Sequence, residues 1–83
     1  MYLHIGEDVL VNTDDLVAIL DKKLLESSPI IAEFLQQKAD ITLHLARHST
    51  KSIVVTTKHV YYSPLSSMTL KKRTQQYVMI ADE

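Results

Sequence analysis

Among 83 residues the chain has no cysteine, no tryptophan, one glycine and two prolines. The missing cysteines exclude disulfides and thiolate metal sites. A loop that cradles phosphates needs several glycines so that backbone amides can approach oxygen closely, so Gly6 alone rules out a dinucleotide fingerprint and a P-loop. It also rules out a nucleophile elbow of the kind built on flanking glycines. Serine, histidine and aspartate all occur, but at no spacing that pairs a nucleophile with a base. Neither catalysis nor a cofactor is expected. The opening MYLHIGEDVL lacks the basic start, apolar run and cleavage site of a signal peptide, and no stretch nears the roughly 20 apolar residues of a membrane span. The expectation is a cytoplasmic protein with no membrane partner.

What is abundant is aliphatic surface: Val, Ile and Leu supply 25 residues. Eighty-three residues make one domain, residues 1–83, and a domain of this size buries only about 60–65% of the surface its unfolded chain exposes. Part of the aliphatic supply is therefore expected at a subunit interface. The charge is unevenly spread. Residues 1–40 carry three bases and eight acids, a balance of −5, while residues 41–83 carry six bases and two acids, a balance of +4. No acid occurs between Ile41 and Ala81, and His44, His48 and His59 share that stretch. This asymmetry points to an anionic partner for the second half, or to packing of the acidic half against the basic half.

Tyr2–Ile5 and Val9–Val11 read as strands joined by a turn at Gly6. Asn12–Asp15 interrupts the second strand, which resumes at Leu16–Leu20 with apolar residues on both faces. One face can be covered by the domain's own helix. The other is expected to be covered by a neighbouring subunit, with Leu16, Val17 and Ile19 at the interface. Ser28-Pro29 is a strong helix start, a serine N-cap followed by proline at the first position, and Ile30, Ile31, Phe34 and Leu35 recur at helical spacing. Ile41, Leu43 and Leu45 alternate as in a half-buried strand. Residues 51–58 and 60–63 form a hairpin around Thr57-Lys58-His59, and Ser66 or Ser67 caps a basic helix through Arg73. The expected class is α+β, in the order β-β-α-β-β-β-α, with Tyr77-Val78-Met79-Ile80 strand-like or partner-bound and residues 76–83 a flexible or partner-bound tail.

Asp40, His44 and His48 stand four apart, the spacing of metal ligands on a helix. The surrounding period is two, however, which separates them, and no metal is expected. Arg47, His48 and Lys51 form one basic cluster and Lys71, Lys72 and Arg73 another. Ser49, Thr50, Ser66 and Ser67 offer hydroxyl donors of the sort that accompany phosphate contacts.

The stretch from Lys51 to Arg73, KSIVVTTKHVYYSPLSSMTLKKR, resembles the RemA/RemB family of biofilm-matrix regulators, together with MYLHIG at the start and the Ser28-Pro29-Ile30 helix start. The likeness covers nearly the whole chain. It implies control of extracellular-matrix genes, a fold similar to the LytTR DNA-binding domain, and homo-oligomeric assembly into a ring. It also implies binding to double-stranded DNA at promoters through Arg47, His48 and Lys51, with Lys71, Lys72 and Arg73 as a second set. The RemA pattern has paired arginines in the loop that here reads Arg47-His48-Ser49-Thr50, and an arginine opposite Asp15. An acid at that position favours the alternative, an oligomeric module that modulates a RemA-type protein partner without touching DNA.

Overall fold

Gly6 sets the first turn of the chain. In the computed structural model, which describes residues 1–45 and 49–78 with side chains as far as Thr74, Gly6 has φ +121° and the next two residues, Glu7 and Asp8, have φ of 50° and 63°. Positive φ at both central residues is the signature of a tight two-residue hairpin turn. A Cβ on Gly6 would stand 2.9 Å from Cδ of Pro64, so glycine is required both by conformation and by contact. The turn joins strand β1 (Tyr2–Gly6) to β2 (Val9–Asn12) in a two-stranded sheet.

Asn12 then accepts a hydrogen bond from the Asp14 amide and starts a 3-10 turn over Thr13–Asp15. The chain leaves the hairpin there and enters a second sheet as β3 (Leu16–Asp21). The interrupted second strand of the sequence reading is thus two strands in two sheets. A short helix α1 (Leu24–Ser27), absent from that reading, precedes α2 (Pro29–Gln37), whose Ser28 cap accepts from the Ile31 amide as expected. After a 3-10 turn at Ala39–Ile41 come β4 (Thr42–His44), β5 (Ser52–Thr56), β6 (Val60–Ser63) and α3 (Ser67–Val78). The observed order is β-β-β-α-α-β-β-β-α. It retains the α+β class, with one more strand and one more helix. Tyr77 and Val78 continue α3 rather than forming a strand, and residues 79–83 lie outside the described residues.

The main sheet has the order β3-β5-β6-β4, with β4 parallel to β6 and the other pairs antiparallel. Side chains alternate across it with a period of two. Val54 faces the hairpin and α3, where it joins Leu3, Ile5, Val11 and Leu70, with Leu16 and Ile19 packed alongside. Ile53, Val55 and Val60 face the other way onto Leu35 of α2, with Ala18 and Leu20. Both faces of the sheet are therefore covered within one chain. This corrects the expectation that a neighbouring subunit would be needed for one of them, because the β1–β2 hairpin folds back as a third layer. Leu16 and Ile19 pack beside the subunit's own core and remain half-buried. Val17, at a register shift between β3 and β5, is 62% exposed. Leu43, expected on a buried face, is also exposed, since β4 is an edge strand.

Two fully buried serines hold the layers together. Ser52 and Ser63 face each other across β5 and β6. The Ser63 hydroxyl donates to the Ile5 carbonyl at 2.6 Å and accepts from the Leu65 amide at 3.0 Å, while Ser52 donates to the Leu65 carbonyl at 2.6 Å. Ile5 falls where the β1–β2 ladder skips a residue, so its carbonyl is free for the sheet below. Replacing Ser63 by Ala strands a buried carbonyl and an amide, and should cost about 1–3 kcal/mol, read as a lowered urea midpoint with an unchanged m-value. Gly6→Ala should cost a comparable amount, because strain and the Pro64 contact add. A wild-type midpoint for Ser63→Ala would show that the hairpin is held by apolar contact alone.

Candidate nucleic-acid interface

The sheet ends are chemically unlike. At one end β5 begins, β6 ends and β3 ends. The Lys51 amide donates to the Ser63 carbonyl at 2.8 Å, and the Lys22 amide donates to the Lys51 carbonyl at 3.2 Å. Because β4 runs parallel to β6, it finishes at this end too, where the Leu45 amide donates to the Tyr62 carbonyl. Leu45 and Lys51, the two ends of the polar connection, thus both lie beside the point where Ser63 leads into Pro64. Arg47 and His48 fall outside the described residues. Lys51 is exposed.

From Pro64 the chain turns into α3. Ser66 accepts from the Thr69 amide at 3.1 Å and caps the helix, as the sequence indicates, and the Ser67 hydroxyl stands 3.5 Å from the Asp21 carboxylate. Leu70 is fully buried and anchors the helix on the hairpin. One residue further round the helix, Lys71 and Lys72 are exposed, and Met68 on the preceding turn is 66% exposed. Arg73 differs from its two neighbours. Its guanidinium donates to the His4 carbonyl at 3.0 Å and lies 3.5 Å from Nδ1 of His4. It is a tie between α3 and β1, half-buried, made through one nitrogen of the guanidinium.

The other end of the sheet holds Asp15 and the β5–β6 turn. The Thr57 amide donates to the Asp15 carbonyl, and the Lys58 ammonium lies 3.9 Å from the Asp15 carboxylate. That is the one ion pair within 4 Å among the described residues. Thr56 shapes the turn by accepting from the Lys58 and His59 amides and donating to the His59 carbonyl. With five residues in β5, the two ends stand roughly 15 Å apart at about 3.3 Å per residue. Asp15 is therefore paired with Lys58 and remote from Lys51.

His44 lies on the open side of β4, its ring 4.6 Å from that of Tyr62, at the rim of a shallow groove of about 560 Å³ between α2 and the sheet. Among the described residues no three histidine or acidic side chains converge as metal ligands. No helix among them is long and apolar enough to cross a membrane.

A family model described as RemA-like, extracellular matrix regulatory protein A-like, matches residues 2–74. The chain is also 49% identical over 75 residues to extracellular matrix regulatory protein B of Bacillus subtilis (strain 168), across 90% of this chain and 91% of that protein.

Sequence placed Lys71, Lys72 and Arg73 in one cluster, and in the structure Arg73 bonds the His4 carbonyl while Lys71 and Lys72 are exposed. Arg73→Ala should lower stability by about 0.5–1.5 kcal/mol through the lost bond to the His4 carbonyl. Lys71→Ala and Lys72→Ala should stay within about 0.5 kcal/mol of wild type. Urea titrations of the three variants decide it, and equal losses at all three positions would remove the distinction.

Proposed function

This chain belongs to the RemA-like family of extracellular matrix regulatory proteins, and we propose on that basis that it controls biofilm-matrix genes as an oligomer that binds double-stranded DNA. The observation that carries the reading is the gathering of uncommitted cations at one end of the sheet. Lys51 is exposed at the start of β5, and Lys71 and Lys72 are exposed on the first turns of α3, and none has a carboxylate within 4 Å among the described residues. Arg47 lies in the connection whose flanking residues, Leu45 and Lys51, are held at that same end. Mobile, hydrated ammonium groups on one surface suit backbone phosphates, which are recognised by charge rather than by sequence.

A few cations bind DNA weakly, so the proposal includes assembly into the ring that the family resemblance implies, with a LytTR-like mode of engagement. Each added subunit converts a further contact into an intramolecular one. Support for assembly comes from the subunit's surface, not from a shortage of internal cover. Both terminal strands, β3 and β4, offer open edges within the chain, and a bare edge is a template for pairing with another chain. Val17, Leu43, Leu10 and Tyr2 are exposed beside these edges or on the hairpin.

A second reading rests on those same apolar residues together with a net charge of −1: an oligomeric module that acts on a RemA-type protein without contacting DNA. Mobility shift separates the two. The double variant Arg47→Glu/Lys51→Glu should lose retardation of a matrix-operon promoter fragment, while wild-type affinity should fall with log salt at a slope of about −0.9 per phosphate neutralised. Absence of any shift by wild-type protein at low salt would favour the protein-partner reading.

Assembly is tested independently by Val17→Asp. The side chain is 62% exposed in the subunit, so the fold should persist by circular dichroism while light scattering shows a lower mass. Ile19→Asp, half-buried against the core, should instead lower the stability of the subunit, because a charge placed against apolar side chains is costly to desolvate. A Val17→Asp protein of wild-type mass would move the interface elsewhere.

A further inference from the structure

The acidic half of the sequence contributes two bases to the cationic end of the sheet. Asp21 pairs with Ser52 at the end of the β3–β5 ladder, and the next rung is the hydrogen bond from the Lys22 amide to the Lys51 carbonyl at 3.2 Å. Lys22 and Lys51 therefore stand across from each other, both exposed. Like charges at facing positions of an antiparallel pair are destabilising. No carboxylate comes within 4 Å of either ammonium among the described residues.

Asp21, the acid that ends β3, is engaged elsewhere. One oxygen of Asp21 accepts from the Lys23 amide at 2.9 Å, closing a local turn, and the other stands 3.5 Å from the Ser67 hydroxyl. That arrangement fixes the backbone of Lys23, which is also exposed, and brings the first residue of α3 beside the same turn. Lys22, Lys23 and Lys51 thus come from two separate segments, the β3–α1 turn and the start of β5, with the start of α3 beside them.

We propose that the Lys22–Lys23 turn is part of the surface that holds DNA phosphates, with Lys22 and Lys51 flanking a shared backbone segment across the β3–β5 ladder. This rests on the DNA-binding reading above and extends it to residues outside the basic half of the chain. A phosphate between two facing ammonium groups turns a mutual repulsion into two attractions. The repulsion is present in the free protein and relieved in the complex. Removing one of the pair therefore weakens binding without weakening the fold, the opposite of what a structural lysine does.

The test uses the full chain with Lys22→Gln/Lys23→Gln, and Lys58→Gln at the opposite end as the control of equal charge per residue. Promoter affinity is measured across a salt series by mobility shift or fluorescence anisotropy, beside urea titrations. The expected result is a loss of about tenfold or more in affinity for the double variant at low salt. The log–log salt slope should become shallower by about 0.9 for each contact removed, and the urea midpoint should be no lower than wild type. Lys58→Gln should keep the wild-type slope. An unchanged slope and affinity for Lys22→Gln/Lys23→Gln, with wild-type binding intact, would overturn the inference and leave the DNA reading standing. Equal losses in Lys58→Gln would also overturn it, since net charge rather than position would then be responsible. If wild-type protein binds no DNA at low salt, the underlying reading fails and this one with it. A lowered urea midpoint would assign the lysines a structural role and is tested again with Lys22→Arg, which should restore binding only if the charge is what matters.

Discussion

The hydroxyl of Ser63, wholly buried at the end of β6, joins segments that are far apart in the chain. It donates to the carbonyl of Ile5, 58 residues away, and accepts from the amide of Leu65. Around that oxygen meet the hairpin, the central sheet and the entry to α3. The hairpin can lie on the sheet because its irregular rung leaves the Ile5 carbonyl unpaired and because Gly6 lets Pro64 come close. Leu70 then has a closed pocket to fill between hairpin and sheet. Burying polar groups at such a junction is tolerable because each has its partner, and among the described residues no buried side-chain nitrogen or oxygen lacks one.

This packing changes the physical case for assembly. A strand with apolar side chains on both faces suggests a subunit contact only while the chain has one layer to offer. Here α2 packs on one face and the hairpin with α3 on the other, and Leu16 and Ile19 are half-buried against the second of these layers. What remains for partners is different in kind: open strand edges and single exposed apolar side chains such as Val17 and Ile30. An open strand edge differs from an apolar face in offering unpaired backbone donors and acceptors as well as side chains.

Charges from the two halves of the sequence meet in the fold. Asp15, from the acidic half, neutralises Lys58, from the basic half, at one end. Lys22 and Lys23, also from the acidic half, lie with Lys51 at the other. The antiparallel path of β3 against β5 produces this exchange, since it brings the end of one segment to the start of the other. Composition by halves does not show which cations the fold brings together.

The sequence by itself determined the local elements. Ser28-Pro29 starts a helix wherever it stands in the fold, Gly6 makes a turn, residues 51–63 make a hairpin, and one glycine with no cysteine excludes whole classes of chemistry, because each of these depends on neighbours in the chain. The resemblance in residues 51–73 likewise needed no coordinates to name the family that the comparisons support. Tertiary structure alone decided that residues 9–20 are two strands in different sheets, that Arg73 binds the His4 carbonyl while Lys71 and Lys72 face solvent, and that Lys22 sits opposite Lys51. Each of these turns on contacts between residues tens of positions apart. Periodicity reports which side of an element is apolar; it carries no information about which other segment will cover that side, and that choice is made by the layers as they close around the core.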